Sequence, residues 1–464
     1  MSGHGNLKID YTHLGQLFTA MNAVGDEAGQ LGGYFRSKVC DPSGFAYHTC
    51  ALRPIADVLP KMADWFDEAV RGFGTSWNDV GGAIYDSAKH IRDQDAVVRD
   101  ALMSYRANDI RCDATPPSIE NFHLSDVEAA LGSPADGGSS MEHDARFDAA
   151  AAAWDTARDT INDGIDLLNK LGAGITPLTE LGLRDYLVYP LAADYTAIGR
   201  NANACKDLDK GFDAWARNFR QLGAKTPQSL EGETGAAVAA TFVAFGKAMD
   251  LAGDALSKGS YAFEGIARVS EKIAVEVEKV LVLLGTKITE LASKVGSRVI
   301  PFAGELQMAF HAIKDLFSGD SPLKQFQDII DDIETVRGII EDCLNLKKTI
   351  RDWAQAQAGR LESFHDVLDT LSGLPGVKGL SGLSALNTKL GQAEHTFDDV
   401  DYGVDDTGQR GALDHELGGL QDRADGEGGG GDDQDDKTDG DLSNGEYGDF
   451  PTEPPVPAGG GAYA

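Results

Sequence analysis

Basic residues are scarce: 41 Lys and Arg stand against 74 Asp and Glu, a formal charge of −33 at neutral pH. No cluster of Lys and Arg interrupts this acidity, which excludes bulk electrostatic binding of nucleic acid or of an anionic membrane surface. Five cysteines, an odd count, include no Cys-x-x-Cys pair, so a thiolate zinc site has no support. Catalytic signatures are missing too. There is no Gly-rich phosphate loop, no G-x-S-x-G elbow, no pair of histidines at helical spacing and no strand-helix alternation on which such sites usually sit. His48, His90, His311 and His365 are scattered and read as surface or helix-boundary residues. Neither an enzyme nor a bound cofactor is expected. No apolar run reaches the roughly 18 residues of a transmembrane helix, and residues 1–8 lack the basic start and apolar stretch of a cleavable Sec signal.

What remains is helix. Leu14, Leu17, Phe18, Met21, Val24, Ala28, Leu31 and Phe35 step by three and four, the stripe of an amphipathic helix packed on a partner. Cys40-Asp41-Pro42-Ser43-Gly44 is turn chemistry. A second stripe follows: Leu52, Ile55, Leu59, Met62, Phe66, Val70, Phe73, Trp77, Val80, Ile84, Ala88 and Ile91, continuing through Val98 and Leu102 to Tyr105. Pro60 and the Gly72-Phe73-Gly74 run are the places where it could kink or split. The layout is an α-hairpin with a long second arm, in which Trp77 reads as a core residue.

The second arm closes on Tyr105-Arg106-Ala107-Asn108-Asp109 ahead of Pro116-Pro117. Tyrosine and aspartate four apart share a helix face, and an aspartate in a last turn faces the negative end of the helix dipole, so stability does not account for it. Tyr402-Gly403-Val404-Asp405-Asp406 fits the same pattern, but in an Asp-rich stretch where the spacing arises by chance. Over about residues 8 to 112, the run Phe73-Gly74-Thr75-Ser76-Trp77-Asn78-Asp79-Val80-Gly81-Gly82-Ala83-Ile84 followed by helix into Tyr105 and Asp109 resembles the EspC-like family of actinobacterial type VII secretion-associated proteins. The resemblance implies that the hairpin with Tyr105 and Asp109 is the export signal, read by the secretion ATPase or chaperone of a type VII system. It also implies a secreted or cell-envelope location without a Sec leader. In the related WXG family, Trp-x-Gly occupies the interhelix turn, whereas the turn at residues 40–50 here has no tryptophan.

Residues 1–112 are therefore expected to form the hairpin, 113–145 a polar linker rich in Pro, Gly and Ser, and 146–285 a helical body. Within the body, Phe147, Ala151, Trp154, Ala157, Ile161, Ile165 and Leu168 describe one amphipathic helix. Two more, carrying Phe212, Trp215, Phe219 and Leu222 and then Val238, Phe242, Phe245, Met249 and Leu256, flank Leu230-Glu231-Gly232. That pair resembles a degenerate WXG hairpin with leucine in place of tryptophan. In 286–376, Phe326, Ile329, Ile333, Val336, Ile340 and Cys343 take the alternating steps of a coiled coil, as core packing or as a surface for a helical partner or self-association.

From Gly391 onward three basic residues meet twenty acidic ones, 3 − 20 = −17, so the acidic, Gly-rich stretch 377–464 is expected to be disordered and dispensable for stability. His415-Glu416-Leu417-Gly418-Gly419 starts like a zinc-protease motif but lacks the second histidine. Cys40 and Cys50 bracket the first turn as a candidate disulfide, with Cys112 a competing partner and Cys205 and Cys343 in apolar stripes. The fold class is all-α, with a helical-bundle or coiled-coil-like body, and the function expected is that of an interaction protein exported by a type VII system. Two alternatives stand beside it. Small and apolar residues over 235–246 and 280–285 suit a membrane-active, pore-forming effector, and export modules also serve as carriers of secreted toxins.

Overall fold

The first stripe becomes helix α1, Tyr11–Tyr34, and every apolar residue named for it is buried. Asp10 caps it, its carboxylate accepting from the backbone N–H groups of Thr12 at 3.0 Å and His13 at 3.1 Å. A single π-turn, Phe35–Val39, carries the chain to Cys40. The computed structural model describes residues 9–45, 50–90, 118–139, 141, 143–301, 322–362, 364–365, 368–369, 388, 413 and 415–419. Among the described residues there is no β-strand, only an isolated bridge between Ile9 and Leu230.

After the short helix α2, Arg53–Ala56, the second arm is α3, Leu59–His90. Pro60 and the Gly72-Phe73-Gly74 run do not split it. Pro60 lies in the first turn, where a missing N–H removes no intrahelical bond, and the helix runs unbroken through both glycines. The two arms are antiparallel. Phe35 stacks on Phe66 at 4.3 Å near the turn, Arg36 bridges Asp64 at 2.7 Å and Asp67 at 2.6 Å, and farther along Trp77 Nε1 donates to Met21 O at 2.9 Å. Trp77 is a core residue, ringed by Phe73, Phe219, Phe242 and Phe245.

The body supplies the surroundings. Helix α4, Val127–Leu131, precedes α5, Phe147–Lys170, which packs along α9, Gly259–Lys294. Between them come a one-turn α6, Tyr189–Ala192, and the long pair α7, Tyr195–Ser229, and α8, Gly232–Ser257. The α7–α8 connection is as tight as Leu230-Glu231-Gly232 suggested: Gly232 has φ of 84°, and a Cβ on Gly235 would lie 1.8 Å from Leu230 O. Helix α10, Gln327–Leu361, buries the coiled-coil-spaced Ile329, Ile333, Val336, Ile340 and Cys343 inside the same molecule, against α9 and α2. Its period serves core packing.

Three expectations need correction. The hairpin does not stand apart from the body, because the buried apolar residues of α1, α3, α7, α8, α9 and α10 belong to one contiguous core. The polar linker is not a spacer. Its residues 118–139 lie along α7 with Phe122, Val127 and Leu131 buried, and Gly137 comes so close to Gly199 that a Cβ on Gly137 would sit 2.8 Å from the Gly199 Cα. The C-terminal stretch is not wholly separate from the fold either, since residues 415–419 are helical and Leu413 and Leu417 are buried. One apolar segment also exceeds what was read from the chain: Gly232–Val299 contains an 18-residue window of mean hydropathy 1.3, 39% of it buried, long and apolar enough to cross a membrane.

These placements make a truncation test sharp. Ending the chain after residue 419 should change Tm by no more than about one degree. Ending it after residue 390 removes two buried leucines worth about 1.5–3 kcal/mol each, so calorimetry should show a loss of several degrees.

Candidate functional site

The segment 118–143, hereafter the strap, has few apolar residues, and its backbone is held by side chains of the helices beneath. At its start the Asn218 amide on α7 pairs with both backbone groups of Ser125: Oδ1 accepts from Ser125 N–H at 2.6 Å and Nδ2 donates to Ser125 O at 2.9 Å. Asp126 then caps α4 by accepting from Ala129 N–H at 2.9 Å. Asn203 Nδ2 donates to Ala135 O at 3.0 Å, Gly137 N–H to Thr196 O at 2.8 Å, and Arg200 pairs with Asp136.

At its end the strap meets two buried carboxylates on α9. Glu271 and Glu278 are two helical turns apart and face the same way, at 2% and 5% exposure. Glu271 Oε1 accepts from Ser139 Oγ at 2.6 Å and from Met141 N–H at 3.0 Å. Glu278 Oε2 lies 2.7 Å from His143 Nδ1, and His143 Nε2 lies 3.0 Å from the Tyr195 hydroxyl at the start of α7. A carboxylate can only accept, so Nδ1 carries a proton and Nε2 is left to accept from the phenol or, when the ring is protonated, to donate to it. Burial first, then the charges of Glu271 and Glu278, raise the Tyr195 phenol above its ordinary value. It therefore stays protonated and serves as a donor rather than as a nucleophile.

This carboxylate–imidazole–phenol chain opens on a cleft of about 500 Å³, walled also by Asp194, Phe147 and Arg184. The Arg184 guanidinium stands 4.6 Å over the Phe147 ring and donates to Asp148 at 2.6 Å. Behind it, Ala193 has φ of 61°, a conformation a non-glycine residue adopts at a cost of about 1–3 kcal/mol. The arrangement can hold a proton on a half-buried relay and fasten the strap to α7 and α9 together. Comparison with protein families, curated proteins and solved structures gives no match.

The residues singled out from the sequence fall elsewhere. Tyr105, Asp109, Cys112 and Tyr402 lie outside the described residues. Cys40 and Cys50, the candidate disulfide, are both free and buried, with burial raising each thiol. Glu416 of the incomplete zinc motif accepts from Thr349 Oγ1 at 3.4 Å, and no group of three His, Cys, Asp or Glu side chains among the described residues could hold a metal ion. Sequence reasoning missed His143, Glu271, Glu278 and Asn218. The available signal was a pair of glutamates seven apart inside the apolar run Ile266, Val269, Ile273, Val277, Val280. A carboxylate has no place on such a face without a partner.

His143→Ala should cost about 2–4 kcal/mol in urea unfolding, because it leaves a buried carboxylate without its partner. Combining it with Glu278→Gln should cost less than the two single changes added together, by about 1–3 kcal/mol, as expected for groups in contact.

Proposed function

We propose that the chain is an exported substrate of a type VII secretion system that acts, without catalysis of its own, through helix-mediated contact with other proteins. One arrangement supports this reading. The arms α1 and α3 form an antiparallel hairpin pinned by Trp77 and Met21, and the sequence of the longer arm continues past the described end at His90 to Tyr105 and Asp109. In the family that residues 8–112 resemble, a hairpin followed by a tyrosine-acid pair is what the export machinery reads. The secretion ATPase or a chaperone is the first partner. A helical partner or a second copy is the later one, and the location is outside the cell or in its envelope.

A second reading has one observation in its favour. The 18-residue apolar window within Gly232–Val299 is only 39% buried, which suits a membrane-active effector whose α8 and α9 leave the core. The exposed Val243 and Tyr261 belong to those helices.

Two measurements separate the readings. Tyr105→Ala and Asp109→Ala should each abolish appearance of the protein in the culture medium while leaving solubility and helical content unchanged, with Tyr402→Ala secreted normally. Normal secretion of both variants removes the motif assignment. Purified protein should release no dye from lipid vesicles; release would favour the membrane-active reading.

A further inference from the structure

Glu27 sits where three parts of the molecule meet: α1, which carries it, α7, and the start of the strap. It is 8% exposed. Its Oε1 accepts from Asn218 Nδ2 at 2.7 Å, and the same fully buried amide holds both backbone groups of Ser125. One side chain thus reads the hairpin on one side and the strap on the other. The second carboxyl oxygen, Oε2, is buried with no hydrogen-bond partner.

That geometry suits a neutral acid and penalises a charged one. Among the described residues, the charged neighbours that raise Glu27 are Asp126 on the strap and Asp26 on its own helix. On α7, Arg217 is turned to Ser125 Oγ at 3.4 Å. An ionised Glu27 has one hydrogen bond, one bare oxygen and two repulsive neighbours. Burial above all, reinforced by Asp126 and Asp26 and opposed by the Asn218 bond, pushes the acid up to about 7.

We infer that Glu27 makes docking of the strap proton-dependent: a protonated carboxyl leaves the strap latched between α1 and α7, and ionisation favours an opened form in which water reaches the carboxylate. The sign follows from linkage. For an acid raised by folding, the contribution to closure is fully present below its ordinary 4.5 and is lost as pH rises through about 7. Between pH 5 and pH 8 the opening constant should rise by several tens-fold. The consequence for export rests on the reading proposed above. The latch lies on the chain just after the stretch bearing Tyr105 and Asp109, so opening near neutral pH lengthens the tether on which that signal is presented.

Amide hydrogen exchange of the purified full-length protein tests this directly. After correction for intrinsic exchange rates, peptides covering 118–131 and the Glu27 turn of α1 should lose protection by several tens-fold from pH 5 to pH 8, while peptides from α10 hold theirs. Glu27→Gln, neutral at every pH, should keep the strap protected throughout. Flat corrected exchange in the wild type, or the same pH rise in Glu27→Gln, overturns the inference. Should that variant not fold, wild-type tryptophan fluorescence decides, because Trp215 Nε1 donates to Val24 O on the same seam at 2.7 Å. A transition with a midpoint near 7 supports the latch, and its absence removes it. None of these readouts depends on secretion, so the latch and the export signal fail or stand separately.

Discussion

Helix α7 is covered on all but the face lined by Lys206, Lys210, Asp213, Arg217 and Arg220, and the fold depends on how it tolerates that. The hairpin helix α1, α4 of the strap, α8 and α9 all pack directly on it. A helix in that position cannot present large side chains in every direction. Its buried surface therefore mixes Phe212, Trp215, Phe219 and Leu222 with Gly199, Gly211, Gly223 and several alanines. The small positions admit neighbours at close range. Leu131 of the strap and Leu31 of α1 both crowd Gly211, and Val243 of α8 crowds Gly223. A side chain at Gly211 would press on two elements at once, and close-packed interiors tolerate such overpacking poorly.

The same helix carries polar side chains that do the work of missing secondary structure. Asn218 pairs with both backbone groups of Ser125, and Asn201 donates to Val39 O and Asp41 O, each at 2.9 Å. On α5, Asn162 pairs in the same two-sided way with Leu178, and Asn169 with Ile175. An asparagine amide matches one peptide unit, so it can stand in for the neighbouring strand that an extended segment lacks. Buried backbone must find partners. In an all-helical protein with long connections, side-chain amides rising from helices are one of the few sources.

Acidity shapes what these contacts can be. Several carboxylates are placed where backbone amides receive them, as Asp10, Asp126 and Asp194 do at the starts of α1, α4 and α7. Others are driven into the interior and held there by hydrogen bonds, as Glu271 and Glu278 are. Where neither option is complete the charge itself is disfavoured: Glu27 is raised to about 7 and Asp209, half-buried beside Asp213 and Asp254, to about 6. With 74 acidic residues against 41 basic ones, cations are too few to neutralise every acid that folding brings inward.

Apolar periodicity in the sequence alone determined the all-α class, both hairpins, the burial of Trp77 and the inward face of α10. Each depends on spacing along one helix, and a helix stripe is a local property. The tertiary structure alone decided that hairpin and body share one core, since two stripes do not say which of several partners they face. It also decided the fate of 118–143 and of Leu413 and Leu417. Composition marked both stretches as solvated because they hold few apolar residues, yet extended backbone is retained by hydrogen-bond partners far away in sequence, and two leucines suffice to bind a short turn to an existing surface. His143 meets Glu278 across 135 positions, and Asn218 meets Glu27 across 191. No spacing rule reaches that far, because such contacts exist only once the helices between them have packed.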